Sequence, residues 1–192
     1  MKISAIMLAA GLSRRMGEED KLLLDYKGKP LIQHAVDLLC RLPCEEKILV
    51  TTQPRLFKVF LPQPQEILTV VNSRPEAGQS ESLRLGLLES TGDHYLFLNA
   101  DQPRLSLDSL RLLLEFAQKN QDKIIYPSIN GNPCSPALFP ARFRLQLMEL
   151  TGDTGGRTLR AAYPEDCLSF EAGNPDEFVD IDCLEDYWAL RG

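Results

Sequence analysis

Several features that mark large protein classes are scarce in this chain of 192 residues, and each absence excludes something. No hydrophobic run approaches the ~20 residues of a membrane-spanning helix, so we expect no membrane partner. Basic residues are outnumbered, with 21 Lys and Arg against 27 Asp and Glu, and the formal net charge of −6 argues against a nucleic-acid partner. An anionic substrate would therefore need a local basic patch or a metal ion.

Side chains that bind transition metals are also few and scattered. His34 and His94 are isolated in the sequence, so we expect neither metal-binding nor acid–base roles for them. Cys40 and Cys44 could share one helix face, but no second close cysteine pair completes a zinc site. An odd total of five cysteines is typical of reduced thiols, and we expect a cytoplasmic protein.

Two common phosphate-binding loops are missing as well. No Gly-Lys-Ser/Thr triplet follows Gly11, which excludes a Walker A loop, and Gly11 and Gly17 are too far apart for the dinucleotide fingerprint. Small residues in this loop nevertheless let a ligand approach backbone amides, and Arg14, Arg15 and Lys21 add positive charge. The loop therefore predicts a site for a highly anionic group such as a triphosphate; the alternative is an ordinary turn with two solvated arginines.

Predicted strands and helices alternate along the chain. The strands are Ile3–Leu8, Lys47–Thr51, Ile67–Val71, Tyr95–Leu98, Ile124–Tyr126, Pro136–Phe139 and Phe178–Ile181. Six helices are predicted between and after these strands. The first runs from Pro30 to about Arg41, the second has Glu81 in its first turn, and the third carries an apolar stripe from Leu107 to Ala117. The fourth covers Phe143–Leu150, a short fifth helix begins at the loop Gly152–Arg157, and the last covers Leu184–Leu190. Residues 52–66 are expected to hold a short helix and irregular chain. The alternation predicts one α/β domain over residues 1–192, with a mostly parallel sheet and right-handed crossovers.

Two candidate functional loops are predicted to lie close together. Gly11 and Asp101 each follow a predicted strand, and ligands of such sheets bind at the carboxyl ends of the strands, so both residues should lie on one rim. A carboxylate at position 101 is suited to hold Mg²⁺ or Mn²⁺ over a phosphate. The alternative is a helix-capping or turn aspartate.

The opening stretch resembles the signature of the MobA-like nucleotidyltransferases, L-A-[AG]-G-x-S-x-R-M-G-x(2,3)-K, which runs here from Leu8 to Gly17 and closes at Lys21. The resemblance implies a three-layer, Rossmann-like fold of the nucleotide-diphospho-sugar-transferase type. It also implies two metal ligands, Asp101 in an Asp-x-Pro motif and Asp182 in a D-[IV]-D-T-x-E-D-Y pattern. A helix-capping role for Asp182 is compatible with metal binding.

The resemblance further implies a reaction in which the acceptor's terminal phosphate attacks the α-phosphorus of a nucleoside triphosphate and expels pyrophosphate. The implied catalytic residues are Arg15, Lys21, Asp101 and Asp182. The implied nucleotide-binding residues are Leu8, Ala9, Ala10, Gly11, Ser13, Arg14, Arg15, Lys21, Gly78, Gln79, Ser80 and Ser82. The implied acceptor-binding residues are Ser135, Pro136, Asp153, Gly155, Gly156 and Arg157.

Motifs that differ between family branches concern the donor nucleotide. The segments Gly78–Arg84, Gly152–Arg157 and Asp180–Asp182 resemble the molybdenum cofactor cytidylyltransferases, and Ala10 stands where guanylyltransferases carry glycine. Three residues separate Gly17 from Lys21, and this longer spacing is typical of the guanylyltransferases. Weighed together, the motifs predict CTP as donor and a molybdopterin-type cofactor as acceptor, with a molybdenum hydroxylase as a possible recipient of the product.

Three other functions stay open at this point. A GTP-using guanylyltransferase and a sugar- or alditol-phosphate nucleotidyltransferase would share the same chemistry. A non-catalytic accessory protein that binds nucleotide or cofactor for a molybdenum hydroxylase is the third. Cys134 and Ser135 motivate it, because the cytidylyl branch carries Gly and His or Asn at those positions.

Overall fold

The computed structural model describes residues 1–12, 20–52 and 66–191. The strands are β1 (Ile3–Ala9), β2 (Asp25–Tyr26), β3 (Lys29–Pro30), β4 (Glu46–Thr51), β5 (Leu68–Val71), β6 (His94–Asn99), β7 (Ile124–Ile129), β8 (Asn132–Pro133), β9 (Ala137–Pro140) and β10 (Cys167–Glu171). The helices are α1 (Leu31–Arg41), α2 (Gln79–Glu89), α3 (Leu107–Lys119), α4 (Arg144–Met148), α5 (Gly156–Ala162) and α6 (Leu184–Arg191). Across these ranges, no helix combines the length and apolar character needed to cross a membrane.

A mostly parallel sheet organises these elements, as the alternation of strands and helices predicts. Its strand order is β10-β7-β9-β6-β1-β4-β5, and β8 pairs with β7. The central strand β1 is parallel to both β4 and β6, whereas β9 is antiparallel to its neighbours β6 and β7. The carboxyl ends of β1 and β6 therefore meet at the same edge.

Helices cover both faces of the sheet, which confirms the three-layer arrangement. On one face, Met7 of β1 shares a buried apolar cluster with Leu39 of α1 and residues of α3. On the other face, Ile6 clusters with Leu87 of α2 and with residues of α4 and α5. Gly86 lets α2 lie close to β1, because a Cβ atom there would stand only 2.4 Å from Cγ2 of Ile6.

The predicted last strand, Phe178–Ile181, is wrong. A 3-10 helix covers Pro175–Phe178, and the strand that completes the sheet is instead β10, parallel to β7. Phe178 and Ile181 are buried, but they are three residues apart and Val179 between them is exposed, so the segment lacks the two-residue period of a strand. The irregular segment expected over residues 52–66 falls mostly on residues 53–65, which lie outside the described ranges.

Glu46, the first residue of β4, joins three segments at the edge of the sheet opposite to the carboxyl ends of β1 and β6. Its carboxylate accepts hydrogen bonds from the Ser4 hydroxyl at 2.5 Å and from the backbone and hydroxyl of Thr91, and it pairs with the Lys2 ammonium at 2.9 Å. Partial burial opposes ionisation of Glu46, but these donors outweigh it and lower its pKa from 4.5 to about 2. The ionised carboxylate therefore stabilises the folded state.

We expect Glu46→Gln to lower the free energy of unfolding at pH 7 by about 1–2 kcal/mol, because charge-assisted hydrogen bonds are lost. The folded-state pKa lies below the unfolded one, so this stabilisation is present above pH 4.5 and disappears as the pH falls towards 2. Urea denaturation of both proteins across this range measures the difference. The exposed Glu115→Gln on α3 is the control, and an E46Q deficit at about pH 2 as large as the one at pH 7 would contradict the assignment.

Candidate active site

A cleft of about 520 Å³ opens at the carboxyl ends of β1 and β6. Leu8 of β1 stands opposite Asn99 of β6, and the Ala100 amide donates a hydrogen bond to the Leu8 carbonyl at 3.1 Å. The chain leaves both strands at this point, so Gly11 and Asp101 border the same cleft. The shared rim predicted for these two residues is confirmed.

Many of the residues singled out from the sequence line this cleft. They come from the loop after β1, the start of α2 and three acidic segments: Leu8, Ala9, Ala10, Gly11, Lys21, Gly78, Gln79, Ser82, Asp101, Asp153 and Asp182. Ser13, Arg14 and Arg15 lie outside the described residues, so the phosphate-binding role of the arginines stays a prediction.

Lys21 brings two of the acidic segments together. Its Nζ donates hydrogen bonds to Oδ2 of Asp101 at 2.6 Å and to the Ile181 carbonyl at 2.9 Å, and lies 3.5 Å from Oδ1 of Asp182. Burial by itself would lower the pKa of Lys21, but the charges and hydrogen bonds of the two carboxylates outweigh burial and raise it. The ammonium group therefore stays charged and offsets part of the negative charge of the two carboxylates that line the cleft.

The same two carboxylates fit a divalent cation. Oδ1 of Asp101 is buried and has no hydrogen-bond partner among the described residues, so an acceptor with a full lone-pair set remains available. Within those residues, no three His, Cys, Asp or Glu side chains converge into a ready-made metal cluster. Two carboxylates completed by phosphate oxygens and water are the set that Mg²⁺ prefers, so Asp101 and Asp182 suit such an ion.

Sequence reasoning missed other residues that line the cleft: Leu12, Leu22, Pro75, Glu76, Asn99 and Asp180. Restricted access to water and the negative charge of Asp101 raise the pKa of the Asp180 carboxyl to about 6, partly offset by a hydrogen bond with Asn99. The signal available for Asp180 was its position two residues before Asp182, on the other side of the fully buried Ile181.

Ser135 and Pro136, predicted to bind the acceptor, are not among the residues that line the cleft. The side-chain amide of Gln102 donates to the carbonyl oxygens of Ser135 and Phe178, each at 3.3 Å. Gln102 is 2% exposed, and Pro136 is buried. These bonds attach the segments before β9 and after β10 to the loop that carries Asp101.

The residues of the glycine-rich loop before α5 lie in different surroundings. Asp153 lines the cleft, whereas Gly155 packs on the Gln79 side chain and Gly156 packs on the Phe139 ring. Arg157 is exposed in the first turn of α5. Of the residues predicted to bind the acceptor, Asp153 is the one the structure brings to the cleft wall.

Removal of the Lys21 ammonium tests the proposed cation site. We expect Lys21→Met to lower the free energy of unfolding in EDTA by about 2–3 kcal/mol, because two neighbouring carboxylates lose their counter-charge. Millimolar MnCl2 should then raise the melting temperature of K21M more than that of the wild type. Lys29→Met, which removes an exposed lysine paired with Asp37 at 2.9 Å, is the matched control. An equal manganese shift in all three proteins would contradict a cation site at Asp101 and Asp182.

Comparison with known proteins agrees with this geometry. The MobA-like NTP transferase domain matches residues 5–167. A probable molybdenum cofactor guanylyltransferase of Methanosarcina acetivorans is 36% identical over 118 residues, 59% of this chain and 52% of that protein, so the chain spans about half its length. A molybdenum cofactor guanylyltransferase of Shewanella putrefaciens is 28% identical over 97% of this chain and 94% of its own.

A solved structure shows the same fold. A Mycobacterium tuberculosis protein in complex with manganese superposes with a TM-score of 0.80 at 21% identity, covering 100% of this chain and 98% of its own. The fold is the mixed α/β fold of the nucleotide-diphospho-sugar transferases that the resemblance implies. The family match spans most of the chain and includes the loop after β1, Lys21 and Asp101. The chain belongs to the MobA-like NTP transferase family.

Proposed function

We propose that this protein transfers a nucleotidyl group from GTP to the terminal phosphate of a molybdopterin-type cofactor and releases pyrophosphate. The observation that carries the proposal is the convergence of Lys21, Asp101 and Asp182 beside the small-residue loop after β1. That convergence supports the proposal because one positive charge and two carboxylates beside backbone amides suit a bound triphosphate and a divalent cation.

The chemistry needs positioning and charge neutralisation more than a protein nucleophile. An oxygen of the acceptor phosphate forms a bond to the α-phosphorus, and the bond from that phosphorus to the oxygen bridging to the β-phosphate breaks. Lys21 would donate a hydrogen bond to the reacting α-phosphate, and Arg15 would bind the phosphates that leave. Pyrophosphate departs with the electron pair of the broken bond.

Asp101 and Asp182 would hold a divalent cation in this reaction. A bound Mg²⁺ or Mn²⁺ supplies positive charge that stabilises the phosphates of both substrates. The manganese complex of the Mycobacterium tuberculosis protein supports a divalent ion, and the buried, unpartnered Oδ1 of Asp101 suits one.

GTP is the donor that the relatives favour, whereas the motifs predict CTP. The two curated relatives described above are both named guanylyltransferases. The cleft adds a physical argument: Glu76 lines it, and a carboxylate only accepts hydrogen bonds. Guanine presents a ring N–H beside an amino group, a donor pair that one carboxylate can bind, whereas cytosine pairs its amino group with a ring acceptor. The features that favour CTP are Ala10 and the segments Gly78–Arg84, Gly152–Arg157 and Asp180–Asp182.

The donor is tested by binding titrations of GTP, CTP, ATP and UTP in the presence of Mg²⁺. We expect GTP to bind best, and Glu76→Gln to weaken GTP binding about tenfold because a charge-assisted hydrogen bond becomes a neutral one. CTP binding should change little. Glu89→Gln, at the other end of α2, is the matched control. Stronger binding of CTP than of GTP by the wild type would instead support the cytidylyl reading.

Turnover is tested by pyrophosphate release with molybdopterin-type cofactor, Mg²⁺ and the preferred nucleotide. Asp101→Asn should reduce kcat by about 100-fold or more, because it removes a charged metal ligand without changing side-chain shape.

Asp108→Asn, an exposed aspartate in the first turn of α3, is the control for D101N and should keep wild-type turnover. A nucleotide-sugar product would select a sugar- or alditol-phosphate acceptor. Nucleotide binding without pyrophosphate release from any acceptor would select the accessory-protein alternative.

A further inference from the structure

The loop that carries Asp153 is attached to the N-terminus of α2 through Ser80. The carbonyl oxygen of Gly152 accepts two hydrogen bonds from this one residue, from the Ser80 hydroxyl at 2.8 Å and from its amide at 3.2 Å. Ser80 is 4% exposed. Its hydroxyl therefore binds the neighbouring loop rather than facing the cleft, although the resemblance implies contact with the nucleotide.

Gly78 makes this close attachment possible. Its φ angle is +93°, and a Cβ atom built there would stand 2.3 Å from the carbonyl carbon and oxygen of Gly152. Glycine is therefore required for two reasons, the left-handed backbone and the absence of a side chain. Two loops that are 72 residues apart in sequence thus form one wall of the cleft.

Asp153 follows Gly152 directly, and it is the residue of this loop that lines the cleft. Asp153 is exposed, and its carboxylate makes no hydrogen bond or ion pair with the other described residues. At neutral pH a carboxylate accepts hydrogen bonds and repels phosphate. Asp153 is therefore suited to the part of a substrate that carries N–H or O–H groups, at a distance from its phosphates.

We propose that Ser80 is a positioning residue, which holds the loop of Asp153 against α2 so that Asp153 binds the N–H donors of the acceptor's heterocycle. This inference rests on the proposed nucleotidyl transfer to a pterin-containing acceptor. The acceptor's phosphate then lies near Lys21 and Asp101, and its ring extends towards Asp153. A pterin carries a ring N–H beside an amino group, which is the donor pattern that a single carboxylate binds.

The experiment compares Ser80→Ala, Asp153→Asn and the double variant in the pyrophosphate-release assay. Ser80→Ala should raise the KM for the acceptor about five- to tenfold and leave kcat and nucleotide affinity within twofold of the wild type. Asp153→Asn should raise the same KM. If Ser80 acts through Asp153, the double variant shows no more than the larger single effect. Ser80→Thr, which keeps the hydroxyl, should restore the KM.

The matched control is Ser90→Ala. Ser90 is 5% exposed at the other end of α2, and its hydroxyl donates to the Leu87 carbonyl at 2.7 Å and accepts from Arg144 at 3.1 Å, so its loss also removes buried serine hydrogen bonds. Ser90→Ala should lower the melting temperature at least as much as Ser80→Ala, without a change in the KM for the acceptor. Additive effects of S80A and D153N, or a change in nucleotide affinity instead of acceptor KM, would overturn the inference.

Hydrogen exchange separates this inference from the proposed function. The Ser80 amide, which donates to the Gly152 carbonyl, should lose protection in Ser80→Ala and keep it in Ser90→Ala. If the wild type turns over no acceptor, the proposed function fails, and exchange alone decides the positioning role. Unchanged protection in Ser80→Ala overturns that role even if turnover is normal.

Discussion

The Lys21 ammonium is the interaction on which the geometry of the cleft depends. Asp101 and Asp182 come from loops 81 residues apart in the sequence, yet both carboxylates lie within 3.5 Å of the Lys21 ammonium. Two carboxylates so close to one point repel each other unless a cation lies between them. Lys21 supplies that cation and also binds the Ile181 carbonyl, while the Ile181 amide donates to the Asp101 carbonyl at 3.0 Å. Charge balance and backbone pairing therefore act together to bring the two acidic loops to one place.

A rigid sheet carries these loops. Strand β1 is buried on both faces and parallel to its two neighbours, so the backbone leaves the sheet at a defined point beside β6. The close contact of Gly86 with Ile6 sets how near α2 lies to that strand, and hence where Gly78 and Ser82 reach the cleft. Packing thus fixes where these residues reach the cleft, which suits the ordering of reactants that the proposed transfer needs.

Acidic side chains dominate the cleft of a protein that is itself acidic. Asp101, Asp180 and Asp182 lie beside Lys21, and Glu76 and Asp153 lie on the walls. A triphosphate cannot approach such a surface without added positive charge, which is why a divalent cation accounts for the arrangement so well. In the proposed function Glu76 and Asp153 act differently, because they accept hydrogen bonds from the neutral, donor-rich parts of the substrates.

The sequence by itself determined the mostly parallel α/β sheet and the shared rim of Gly11 and Asp101, because apolar periodicity and turn residues are local signals. Tertiary structure decided the rest. Phe178–Ile181 became a docked irregular segment because its burial comes from contacts with distant loops, and Ser80 turned to Gly152 because that partner is 72 residues away. Pairings between distant segments leave no local periodic trace, so they emerge only once the chain is packed.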